Sequence, residues 1–119
     1  MTKEQLKATE EAMRIGHAAT YRLSDSFVDG FIGTADKILK LHDEICYSGD
    51  SDELQYERRS SYRALEDLLK EKSIKAIELS CTGTVEGMGG RTFTPDSLES
   101  TGRWLAEASQ MMKQNRNFL

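Results

Sequence analysis

The chain has 119 residues, of which 38% are hydrophobic and 30% charged, with a formal net charge of −4. That length supports one domain burying roughly two-thirds of its unfolded surface, and the composition excludes a wholly disordered chain. No apolar run approaches the ~20 residues of a membrane span, and the acidic balance argues against non-specific nucleic-acid binding, which needs a basic face.

A first helix is expected from a Thr2 cap, with Gln5 at the third helical position, to about Leu23. Leu6, Thr9, Met13 and Thr20 mark one row of it; Ala8, Ala12, Ile15 and Ala19 mark a second, small enough for a neighbouring helix to approach closely. Residues 23–26 read as a break that caps the next helix, with one long bent helix as the competing reading.

Residues 27–46 predict the central helix. One apolar row holds Phe27, Phe31, Thr34, Ile38, Leu41 and Ile45, and a second holds Val28, Ile32, Ala35, Leu39, His42 and Cys46. Together they cover about half the circumference, enough to serve two neighbours. Gly30 and Gly33 each cost about 1 kcal/mol inside a helix. They mark a weak first turn or a point where a partner backbone comes near.

The Gly49 turn leads to a third helix over 52–72, with Leu54, Ser61, Leu65 and Leu68 on one row and Tyr62 and Leu69 beside it. Its short link makes it antiparallel to the central helix. From Ile77 the alternation of Ile77, Leu79, Cys81 and Val85 with polar residues has the period of a half-buried strand, and residues 91–94 return as its partner. A short helix over 73–81 is the rival reading. Thr94-Pro95-Asp96 opens the last helix with a cap, a proline at the first helical position and an acid. Leu98, Leu105 and Met112 form its main row, with Thr101, Trp104, Ala108 and Met111 alongside.

The expected fold is therefore a helix-rich α+β domain, spanning residues 1–119, in which three to four amphipathic helices pack with a small antiparallel hairpin. An all-α bundle is the alternative. The surplus of apolar rows leaves room for a homodimer.

Chemistry is thinly supplied. His42 and Cys46 stand four apart, a spacing that brings two metal ligands together, but only His17 and Cys81 remain to complete a site. The same four offer a thiol–histidine pair without any nucleophile motif around it. No metal, cofactor or enzymatic activity is expected. Two cysteines without a spacing framework, and an amino terminus without a hydrophobic signal core, point to free thiols in the cytoplasm.

The remaining candidates are binding groups. Six acids, Asp43, Glu44, Asp50, Asp52, Glu53 and Glu57, fall before the next base, Arg58. Of these Asp50, Asp52, Glu53 and Glu57 are the expected partner-binding residues of an acidic inhibitor or adaptor, a non-enzymatic protein–protein interaction module acting on a larger machine. Alternatively the Gly87, Gly89 and Gly90 turn, with Arg91, presents backbone N–H groups to a phosphate or nucleotide. It lacks the lysine and hydroxyl of a P-loop. Met88 at its tip suits insertion into a partner pocket. Arg58, Arg59 and Arg63 with Tyr56 and Tyr62 form a basic-aromatic group of the kind that holds nucleic acid, beside acids that would instead make it a salt-bridged face. Trp104, Met111, Phe118 and Leu119 are further possible contacts.

Overall fold

The computed structural model describes the backbone of residues 3–26, 28, 30–47 and 52–116, and the side chains of these apart from 47 and 52–57. Four helices carry the fold: α1 (Lys3–Ser24), α2 (Thr34–Tyr47), α3 (Asp52–Ser80) and α4 (Pro95–Arg116). Two short strands, β1 (Val85–Glu86) and β2 (Thr92–Phe93), join α3 to α4 as an antiparallel hairpin, with Val85 opposite Phe93 and Glu86 opposite Thr92. The protein is a helix-rich α+β domain, as its periodicities predict.

Each helix packs on its neighbours in the order α1, α2, α3, α4 and back to α1. Side-chain bonds set the directions. Ser73 Oγ donates to the Gly102 carbonyl at 2.7 Å and Ser109 Oγ to the Glu66 carbonyl at 3.0 Å, so α3 and α4 run antiparallel. Arg22 meets Ser97 at 3.0 Å while Asn115 reaches back to Gln5 at 3.2 Å, which makes α1 and α4 antiparallel too. Thr9 faces Tyr62, and Gly16 faces Leu69, so α1 and α3 are parallel across the diagonal. The result is an up-down-up-down bundle, 48 Å long and about 20 Å across. Its core is a column of fully buried Leu23, Phe31, Ile38, Ile45, Tyr62, Leu65, Leu69, Leu98, Leu105 and Met112. Among the described residues no helix is long and apolar enough to cross a membrane.

Two small residues let these helices close. A Cβ on Gly16 would overlap Leu69, and one on Gly102 would lie 2.8 Å from Ile77 and 3.1 Å from the Ser73 carbonyl oxygen. The last helix starts as its sequence predicts: Thr94 Oγ1 accepts the Ser97 N–H at 3.2 Å, and Pro95 is the first helical residue.

The structure corrects two elements. The helix expected over 27–46 begins only at Thr34, because Gly30 (φ 103°) and Gly33 (φ 76°) adopt conformations a right-handed helix does not admit. Phe31 consequently enters the core from a loop, and Ile32 and Leu39, expected on a buried second row, are exposed. This helix packs on α1 and α3 as one side of a four-helix ring, so it is not central. Residues 77–80, expected to start a strand, instead complete α3. Ser73 and Ala76 are buried against α4, so the packed face continues with helical spacing and Ile77 lies over Gly102. The helix stops where Cys81 and Thr82 donate back to Glu78 and Leu79, just before Gly83 at φ 112°. The hairpin and the rival helix therefore both exist, one after the other.

Candidate functional site

The bundle has two unlike ends. At one end lie the α1 amino terminus, the α2 carboxyl terminus, the start of α3 and the end of α4, and here the interior is polar. Thr9 Oγ1 and Tyr62 Oη stand 3.4 Å apart, and Asn115 Nδ2 donates to Thr9 Oγ1 at 3.3 Å. Arg116 Nε lies 3.4 Å from the largely buried Glu66 carboxylate. Burial pushes the Tyr62 phenol above its ordinary pKa, with the Thr9 and Asn115 hydrogen bonds opposing that shift.

His42 and Cys46 belong to the same end. Cys46 Sγ is 3.3 Å from His42 Nε2, and His42 Nδ1 is 3.7 Å from the Asp43 carboxylate. The order thiol, imidazole, carboxylate resembles a catalytic arrangement only on paper. Burial, with Glu10 and Asp43 adding negative potential, pushes the Cys46 thiol up to about 11, so at neutral pH it carries its proton and is a poor nucleophile. His17 is elsewhere, stacked on Tyr21 with ring centroids 6.0 Å apart, and Cys81 is exposed at the end of α3. Among the described residues no three His, Cys, Asp or Glu side chains gather as a metal site.

The basic-aromatic group does not form one surface. Arg58 and Tyr62 turn into the bundle, whereas Arg59 and Arg63 face solvent. Glu66, one of the acids within helical reach of these arginines, faces Arg116 of α4. Asp50 and the side chains of Asp52, Glu53, Glu57 and Tyr56 lie outside the described residues, as do Phe118 and Leu119.

The opposite end carries the hairpin. Gly87 N–H donates to the Arg91 carbonyl at 2.7 Å, Met88 N–H to the Asp25 carbonyl at 2.9 Å, and Arg91 N–H to the Met88 carbonyl at 3.2 Å. The Arg91 guanidinium lies 3.0 Å from the Asp25 carboxylate. Three backbone donors of this turn and its arginine are thus engaged inside the protein, which weakens the turn as an anion cradle. The same bonds hold Met88 outward, 53% exposed, on a turn fixed to the end of α1.

A groove opens between the α1–α2 connector and α3. One hollow of about 310 Å3 is lined by Gly30, Ile32, Gly33, Lys37, Leu68 and Lys72, among others. A second of about 270 Å3 adjoins it through Gly30, Glu71 and Lys72 and extends to Ile74, Lys75 and Glu78. Ile32 is 65% exposed and Ile74 50%. The sequence hid this groove because Ile32 occupies a position that an uninterrupted helix would bury; the positive-φ glycines on either side of it were the available signal.

No protein-family model, curated protein or solved structure matches the chain.

Proposed function

We propose that this protein is a non-enzymatic protein–protein interaction module that meets its partner at the hairpin end of the bundle. The observation that carries this reading is a set of exposed apolar side chains toward the hairpin end. Among the described residues, Tyr21, Ile32, Ile74, Ile77 and Met88 are large, apolar and exposed there, while Leu39 and Trp104 are exposed near the middle of their helices. Isolated exposed apolar residues are ordinary, but a group that includes Tyr and Met suits a contact surface.

An inhibitor or adaptor role is the corresponding biological expectation. Its acidic version, through Asp50, Asp52, Glu53 and Glu57, is favoured by Asp43 and Glu44, which end α2 close to that segment and add to its negative charge.

The test compares three tagged proteins as bait in a nuclease-treated lysate: the parent, an Ile32→Ser/Ile74→Ser/Met88→Ser variant, and a variant with Lys at positions 50, 52, 53 and 57. A stoichiometric partner lost only by the first variant supports the hairpin-end surface. Loss only by the second moves the site to the acidic segment. A parent that retains no protein overturns the interaction reading.

A further inference from the structure

We infer that the groove between the α1–α2 connector and α3 receives an acidic side chain of a partner polypeptide, with Lys72 as its counter-charge and Ile32 and Ile74 covering the flanking apolar residues. This rests on the protein-interaction reading and names the partner's chemistry.

Lys72 is the decisive residue. It lines both hollows, and its side chain is only 12% exposed. Its stem is covered, and its ammonium, with three protons to donate, opens on the groove. Here its one ion pair among the described residues is with the neighbouring Glu71 at 3.8 Å, beyond hydrogen-bond length. Nζ sits 3.7 Å from the place where a side chain on Gly30 would begin, at the floor shared by the two hollows. Gly30 contributes no side chain to fill that floor. An anion entering there would accept a hydrogen bond from that ammonium.

The surroundings select the source of that anion. Lys37 lines one hollow and Lys75 the other, so among the described residues the groove holds three lysines against Glu71 and Glu78 in a chain whose net charge is −4. Charge complementarity thus favours a negative visitor at this place on an acidic protein. Ile32 and Ile74 offer apolar contact that a free phosphate does not use. A carboxylate carried between apolar side chains suits both features.

The experiment uses the full chain and a pooled library of capped hexapeptides, each with one glutamate between apolar residues, followed by NMR at the Gly30 and Gly33 amides and the Lys72 side chain. Saturable shifts are expected with the glutamate library and not with its glutamine counterpart or with inorganic phosphate. Lys72→Met, which keeps an unbranched stem, should weaken binding about tenfold or more while leaving the melting temperature near that of the parent. No shift with the glutamate library, equal shifts with glutamine, equal shifts with phosphate, or undiminished binding by Lys72→Met would each overturn the inference. So would self-association in sedimentation that Lys72→Met abolishes, since the occupant would then be a second copy. If a lysate partner is lost by the serine variant yet kept by Lys72→Met, the interaction reading stands and this inference falls.

Discussion

Asp25 holds the Arg91 segment twice: its carboxylate lies 3.0 Å from the Arg91 guanidinium, and its backbone carbonyl accepts the Met88 N–H at 2.9 Å. A two-residue strand pair is marginal in water, so docking on α1 and the buried Phe93 is what makes the hairpin persist. The two links should differ in strength. The ion pair is largely exposed, and Arg91→Ala should lower stability by less than about 1 kcal/mol in urea titration. Gly87→Ala should do more, about 1–3 kcal/mol, because the added Cβ would lie 2.6 Å from both the Asp25 carbonyl oxygen and the Phe93 ring. Equal losses would mean that the ion pair, and not close backbone approach, fastens the hairpin.

Gly16 lies against Leu69 across the bundle diagonal. Its missing side chain admits Leu69, so Gly16→Ala should overpack the core by about 1–3 kcal/mol despite alanine's better helix propensity. Leu69→Ala leaves a cavity and should itself cost about 2–5 kcal/mol. Combining them should recover part of the sum, because each change supplies the volume the other lacks. Strict additivity in a double-mutant cycle would show that the two residues do not share this space.

Much of this fold is legible in the sequence, and the failures have a common cause. The last helix declares itself through Thr94, Pro95 and the Leu98, Leu105, Met112 row, where cap chemistry and periodicity agree. Residues 27–33 have the apolar spacing of a helix, yet α2 begins only at Thr34, because a conformational demand at Gly30 and Gly33 overrides the pattern. Residues 77–80 suit either period over so short a window, and only the depth of Ser73 and Ala76 against α4 decides for helix. The pairing of His42 with Cys46 follows from their spacing, but their burial, and hence the inertness of the thiol, depends on neighbours from other helices. The exposed isoleucines around Lys72 depend on tertiary arrangement in the same way.

Gly33 isolates the backbone contribution. Nothing stands within 4 Å of a Cβ placed there, so Gly33→Ala should meet no collision. Its φ of 76° remains unfavourable for alanine, and a loss of about 1–2 kcal/mol is expected from conformation alone. Gly33→Asn should lose less, since asparagine tolerates the left-handed region better. If both variants match the parent in urea, the connector relaxes freely and does not fix the start of α2.

Cys46 should tie stability to alkaline pH. Its thiol is pushed from 9.0 to about 11 by burial and by the Glu10 and Asp43 carboxylates, so the folded protein holds that proton more tightly than the unfolded chain. A raised folded pKa contributes stability that is fully present below the unfolded value and disappears as pH climbs through the folded one. The urea midpoint should therefore be insensitive to this group at neutral pH and fall between about 9 and 11. The Tyr62 phenol, also raised by burial, extends the decline at the alkaline end. Cys46→Ala should flatten the 9 to 11 portion and reduce the Tyr62 part only slightly, because burial and not the Cys46 thiolate is the main cause of the raised phenol. A thiol reagent offers an independent check: at pH 8 the exposed Cys81 should be modified first, and Cys46 should follow only slowly, faster in partial denaturant. Equal rates at both cysteines in the native protein would show that Cys46 is not shielded, and the alkaline decline would then need another source.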